Sequence, residues 1–337
     1  MTVEGWEWDA GGFLASPETR GLLLMMSRDP DATRTFLATT PAGQVSRPVC
    51  KIPTSATSER AVDHEARLLV ALRRMQLGPV AETIPRYVST GVVEGRQVLV
   101  STSLPGAPMS VDYHRWRHTS RPAPVARDLE VALGWLAAFQ ESTVDGVRPL
   151  TWSAEVSAAL STRWEGDRAL PLAAAHLAAA HAELGAQLSP VTAVHGDFWY
   201  GNVLVAEDRV TGVVDWEEGQ LTGWPLRDVG RFLVSYSLYL DRHTSPGRSV
   251  AGHGGLRRVG FAPGIAYALT GRGWYPRLVR STLAGALQRL GLPAHLWYAV
   301  ALTAVGEVAA TANHADFARG HLELLASLPR RPHVRRG

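Results

Sequence analysis

His195-Gly196-Asp197-Phe198-Trp199-Tyr200-Gly201-Asn202, followed by Val213-Val214-Asp215-Trp216-Glu217, decides how this chain reads. The apolar run Val191 to Val194 leads into the first segment, and Asn202 to Ala206 and Val210 to Val214 alternate like a short hairpin. An Asp and an Asn five residues apart on one loop set a carboxylate beside an amide oxygen. A second Asp ends the next apolar strand. Capping and turn chemistry explains any one of these residues, but hardly three at this spacing, each beside an apolar strand.

Working outward, the residues before the loop read as strands with one helix. Gly21 to Ser27, Thr35 to Thr39 and Pro48 to Ile52 are short apolar runs separated by turn residues. Ser58 to Arg74 changes period: Ala61, Leu68, Leu69 and Leu72 share one face, with Ser58 as the expected N-cap and Glu59 in the first turn. Ile84 to Thr90 and Gln97 to Thr102 read as two more strands around the Glu94-Gly95 turn, and Leu104-Pro105-Gly106 breaks the pattern as a hinge. Helical periodicity then dominates at Arg127 to Ser142, Leu172 to Leu188, Pro225 to Leu240 and from Tyr275 onward. Residues 241–264, with six glycines and two prolines, read as a mobile loop or a lid facing a ligand.

Composition narrows the setting. The chain has 337 residues, 46% of them hydrophobic, enough for a sizeable core. A single cysteine, Cys50, excludes an internal disulfide framework. Glu4, Glu7 and Asp9 stand where a secretory signal needs positive charge, and no apolar run reaches the roughly 18 residues of a membrane helix. A soluble cytoplasmic protein without a membrane partner is the expectation. Residues 151–220 hold ten acids against three arginines, and residues 251–337 hold eleven arginines against three acids. No aromatic-plus-basic motif accompanies the basic third, so nucleic acid is not expected as a partner. The end of the chain, 329–337, reads as a basic solvated tail. Among 34 Lys plus Arg there is one lysine, Lys51, so any step that needs a lysine must use it.

Phosphoryl transfer to a hydroxyl asks for a carboxylate to orient the nucleophile and take its proton, and for oxygen ligands to magnesium on the triphosphate. The order and spacing of Asp197, Asn202 and Asp215 match the kinase set H-R-D-L-x-x-x-N followed by D-F-G, with Gly196 in place of the arginine. The pattern resembles the aminoglycoside phosphotransferase and choline kinase superfamily, in element order over roughly residues 20–325. The resemblance implies an α+β, bilobed, protein-kinase-like fold: a small β-rich N-lobe with one helix, residues 1–104, and a larger, mainly helical C-lobe, residues 105–328. It implies Asp197 as catalytic base, Asn202 and Asp215 as magnesium ligands, and His195 as a brace for the loop. Lys51 would hold the α- and β-phosphates of ATP, or of GTP, and pair with Glu65. The carbonyl of Thr102 and the amide of Leu104 would meet the adenine. Asp228 would hold the backbone of the catalytic loop. Glu217 and Glu218 are expected to face solvent.

The turn Arg28-Asp29-Pro30-Asp31-Ala32-Thr33 departs from the pattern. It has no glycine where kinases carry a Gly-rich loop, and no Ala-Pro-Glu follows Asp215, which argues against a protein kinase. The expected partner is a small hydroxylated acceptor: a sugar, a nucleoside or a natural-product antibiotic, with aminoglycosides included. Candidate lining is Trp199, Tyr200, Trp224, Trp274 and Tyr275. The competing reading is a non-catalytic, kinase-like, nucleotide-binding scaffold, which the missing glycine loop supports.

Overall fold

Alternating apolar runs closed by turn residues pair into an antiparallel sheet near the start of the chain. In the computed structural model, which describes residues 20–26, 31, 33–39 and 48–330, the strands are β1 (Arg20–Met26), β2 (Thr33–Thr39), β3 (Pro48–Pro53), β4 (Tyr87–Val93) and β5 (Arg96–Thr102). Their order is β1-β2-β3-β5-β4. Helix α1 (Ala56–Arg73) packs on β3 and β5, burying Val62, Leu68, Leu69 and Leu72. Val98, Leu99 and Val100 of β5 are all fully buried, as expected for a strand with neighbours on both sides.

Two local expectations shift. Ser58 is not the N-cap of α1: Ser55 is, and Ser58 completes a capping box from N3. Ser55 Oγ accepts from Ser58 N at 3.2 Å, while Ser58 Oγ accepts from Ser55 N at 3.0 Å. A serine does here what Glu or Gln does in the usual box. Strand β4 begins at Tyr87 instead of Ile84, because Gly78–Thr83 form a 3₁₀ helix and Pro85 has no ladder donor.

The chain forms two compact units, one made of the residues through Ala107 with Leu204–Leu221, the other of Pro108–Val203 with the chain from Thr222. The first unit thus takes back a hairpin of β6 (Val203–Ala206) and β7 (Arg209–Val213) from a hundred residues further on. Its turn residues Glu207 and Asp208 have φ of 49° and 58°, the left-handed pair that suits a tight hairpin. The Leu104-Pro105-Gly106 break rests on this hairpin. Thr211 Oγ1 donates to Pro105 O at 2.6 Å, and a Cβ on Gly106 (φ 104°) would lie 2.3 Å from that same Oγ1. Only glycine fits there.

The second unit is helical: α2 (Pro122–Ser142), α3 (Trp152–Arg163), α4 (Leu170–Leu184), α5 (Pro225–Leu238), α6 (Pro263–Thr270), α7 (Trp274–Arg289), α8 (Trp297–Thr311) and α9 (Ala315–Ser327). Helix α8 is apolar on almost every side and buried along most of its length against α3, α4, α5 and α9, which makes it the core of the unit. No helix among the described residues is long and apolar enough to cross a membrane. Most of the turn 28–33, the first nineteen residues and residues 331–337 of the expected basic tail lie outside the described residues.

Candidate active site

In the first unit the only lysine sits mid-strand on β3, and the buried face of α1 brings Glu65 to it. Lys51 Nζ donates to Glu65 Oε2 at 2.5 Å and to Asp215 Oδ1 at 2.6 Å. The Lys51 and Glu65 side chains are only 9% and 3% exposed, so neither charge is left to water. Burial works against the ammonium, but Asp215 and Glu65 outweigh it and hold the Lys51 pKa well above the usual lysine value. The second oxygen of Glu65 accepts from Trp216 N at 3.2 Å, so one carboxylate ties both the strand lysine and the residue after Asp215. Asp215 itself has φ 71°, a left-handed conformation that Asp tolerates better than most residues.

Glu217 departs from its expected solvent position. It is half-buried, and burial, with the Asp215 charge adding to it and Lys51 opposing, pushes its carboxyl up to about 8. Glu218 is exposed, as expected.

In the second unit a short apolar strand, Thr192–Val194, delivers the loop that carries Asp197. Asp228, fully buried in the first turn of α5, accepts from His195 N at 2.7 Å and from Gly196 N at 2.9 Å. It holds the loop backbone with charge-assisted bonds, though burial outweighs them and raises its pKa above the usual carboxylate value. The His195 ring braces the loop from within, its Nδ1 accepting from Asp197 N at 3.3 Å. Asn202 Nδ2 donates to Asp197 O at 3.0 Å and approaches Asp197 Oδ2 at 3.4 Å. Trp199 folds back over Gly201, where a Cβ would lie 2.3 Å from the indole Cη2, so the glycine before Asn202 makes room for the ring.

Arg231 was not singled out by sequence. It lies one helical turn after Asp228 on α5, and both its Nε (2.8 Å) and its Nη2 (2.6 Å) reach Asp197 Oδ1. The one available signal is the i, i+3 spacing of Asp228 and Arg231 in Pro225-Leu-Arg-Asp-Val-Gly-Arg, which puts both on the same helix face.

The remaining expected positions divide. Thr102 closes β5, its N–H donating to Arg86 O at 2.9 Å. Its register partner on β3 is Pro48, which has no N–H to offer the Thr102 carbonyl. Leu104 lies in the hinge on the hairpin. Of the five aromatic candidates, Tyr200 and Tyr275 are buried, Tyr275 bonding Ser237 Oγ at 2.8 Å, while Trp199, Trp224 and Trp274 are partly open. Residues 241–264 are folded: Val250 N donates to Leu256 O, the buried His253 ring bonds Thr119 O, and Trp274 Nε1 donates to Gly252 O.

Asn202 and Asp215 supply an amide and a carboxylate oxygen, the hard donors that magnesium takes, so the donor chemistry fits the metal.

The model of the phosphotransferase enzyme family matches residues 31–261. No curated protein matches the chain. Among solved structures, the chain is similar to the apo form of a thermostable mutant of aminoglycoside phosphotransferase APH(4)-Ia, with TM-score 0.55 and 15% identity over 91% of this chain and 94% of that one. A ternary complex of a further point variant of that mutant with AMP-PNP and hygromycin B gives TM-score 0.54 at 14% identity, over 91% and 93% of the two chains. A candidate aminoglycoside phosphotransferase of Ralstonia eutropha gives 0.52 at 16%, over 91% and 90%. At these identities the likeness establishes the kinase-like fold.

Proposed function

This chain belongs to the phosphotransferase enzyme family, and from that premise we propose that it moves the γ-phosphate of ATP to a hydroxyl of a small molecule. The observation that carries the reading is the Asp197 carboxylate, held at Oδ1 by Arg231, with the Asn202 amide beside Oδ2. The acceptor hydroxyl hydrogen-bonds Asp197, and its oxygen attacks the γ-phosphorus in line. The bond from that phosphorus to the β,γ-bridging oxygen breaks, ADP leaves, and the hydroxyl proton passes to Asp197. Lys51 takes the α- and β-phosphates, and Glu65 keeps it in place. Thr102 and Leu104 offer backbone groups to the adenine; GTP is the alternative donor. Asn202 and Asp215 would hold magnesium, which would supply neutralisation of phosphate charge.

The acceptor class follows from charge. The Asp197 carboxylate already has a cation, so a polycationic acceptor gains little from it. This favours a neutral or weakly charged hydroxylated acceptor such as a sugar, a nucleoside or a natural-product antibiotic. The test is ADP release from Mg-ATP across aminoglycosides, macrolides, nucleosides, simple sugars and choline, with Asp197→Asn as control. Release that depends on one acceptor and vanishes in the variant is expected. A marked preference for aminoglycosides overturns the acceptor class. Nucleotide binding without turnover across the panel favours a scaffold.

A further inference from the structure

We propose that Arg231 is the positioning cation of the transfer: it seizes one oxygen of Asp197 so that the other is the one presented to the acceptor hydroxyl. The proposal rests on the reading of Asp197 as base. A carboxylate has about four lone-pair sites on two equivalent oxygens and turns readily about its last bond. Arg231 removes that freedom, because its Nε and Nη2 both fall on Oδ1, at 2.8 and 2.6 Å. Oδ2 is left beside the Asn202 amide, 3.4 Å away.

Helix α5 is built to do this. Asp228 grips the loop backbone at His195 and Gly196, and Arg231, one turn on, grips the loop side chain. Backbone and carboxylate are therefore referred to one rigid helix face. The loop supplies no cation of its own to hold the carboxylate, since Phe198, Trp199, Tyr200 and Gly201 fill the positions between Asp197 and Asn202. The guanidinium charge is secure, since burial works against it but Asp197 outweighs burial and raises its pKa above the usual arginine value.

The two side chains are 26% and 28% exposed, so the pair is mostly withdrawn from water and its two donors on one oxygen hold a defined geometry, while one side stays open enough for a small solute to reach. Orientation is the return on the contact, and small misplacements of a reacting group cost about a hundredfold in rate.

The test compares Arg231→Lys, Arg231→Gln and Arg231→Ala with wild type in the ADP-release assay, with melting temperatures run alongside. Arg231→Gln and Arg231→Ala are expected to lose about a hundredfold in kcat with KM for ATP within twofold, and Arg231→Lys to recover part of the loss. Because the site is partly open, guanidinium added to Arg231→Ala restores turnover, and it restores none in the Asp197→Asn/Arg231→Ala double variant. Wild-type kcat in the Gln and Ala variants overturns the proposal. So does a loss that follows melting temperature and that neither lysine nor guanidinium relieves. A wild-type chain without transfer, or an Asp197→Asn variant with full turnover, removes the base itself and the role of Arg231 with it. An active wild type with indifferent Arg231 variants removes Arg231 alone.

Discussion

Each unit holds a motif carboxylate on a cation, and the two do it differently. In the first, Lys51 divides a compact ammonium between Glu65 and Asp215, at 2.5 and 2.6 Å. In the second, Arg231 sets two donors of a planar fork on one oxygen of Asp197. Lys51 and Glu65 are nearly dry, Asp215 is 22% exposed, and the guanidinium pair is about a quarter exposed. A point charge with three rotatable donors can exchange a carboxylate for a phosphate oxygen without losing its other partner, whereas a fork is suited to staying where it is. The first arrangement fits a group that must receive a ligand, and the second fits one that must stay aimed.

The largest effects separate these roles. Asp197→Asn is expected to lower kcat by about a thousandfold, in the range of a general base, while nucleotide affinity stays within a few-fold. Stopped-flow nucleotide binding beside steady-state turnover checks this, and wild-type turnover removes Asp197 from the role. Lys51→Met is expected to act the opposite way, on stability and nucleotide binding together. It leaves the buried Glu65 charge unpaired, a loss of about 3–5 kcal/mol. Adding Glu65→Gln to Lys51→Met is expected to return part of that stability but none of the affinity. Urea unfolding of the three proteins decides it, and a double variant no more stable than the single one breaks the contrast.

The same contrast shows what sequence could reveal. Lys51 stands out because it has no lysine to be confused with, and Asp197, Asn202 and Asp215 stand out by spacing. Arg231 is one arginine among 33, and periodicity assigns it a helix but not what its polar face grips. The succession of strands along the chain and the helical second half are legible from period and punctuation, whereas the β3–β5 pairing inside the sheet is not. The return of the 204–221 hairpin to the first unit is not, because it is a contact between segments a hundred residues apart and linear composition carries no trace of it. Ser55 hides behind Ser58 for a local reason: both serines bond in the cap, and the familiar box has an acid or amide at the third position. Glu217 reads as one of two solvent-facing acids, yet its neighbour alone is exposed, a distinction that depends on packing.

A smaller effect belongs to the second unit alone. His321 is fully buried in α9, its Nδ1 bonding Phe317 O at 2.9 Å, and burial lowers its pKa from 6.5 to about 4. A folded-state pKa below the unfolded one gives stability that is complete above pH 6.5 and lost as pH falls toward 4. The wild type is therefore expected to lose about 2–3 kcal/mol over that window on account of this ring, at about 1.4 kcal/mol per pKa unit. His321→Gln is expected to lose correspondingly less. Urea midpoints at pH 7 and pH 4.5 test it; equal losses in the two proteins remove His321 as the cause.

The smallest effect asks whether the helices that carry the two grips are anchored alike. Helix α1 starts on a reciprocal serine box, whereas α5 starts at Trp224-Pro225 with no side-chain cap. Helix α5 can do without one because Pro225 lacks the N–H that a first-turn residue leaves unpaired. Ser55→Ala is expected to cost about 1 kcal/mol in the first unit, and Ser58→Ala at least as much, since its hydroxyl serves Thr54 N and Ser55 N together. Glu65 lies ten residues beyond the cap, so fraying of the first turn should not reach the Lys51 pair. Nucleotide affinity is expected to stay within twofold in both serine variants while the melting temperature falls. A tenfold loss of affinity would mean that the start of α1, and not the ion pair alone, sets where Lys51 points; the first unit would then aim its cation through a helix terminus much as the second aims Arg231 from α5.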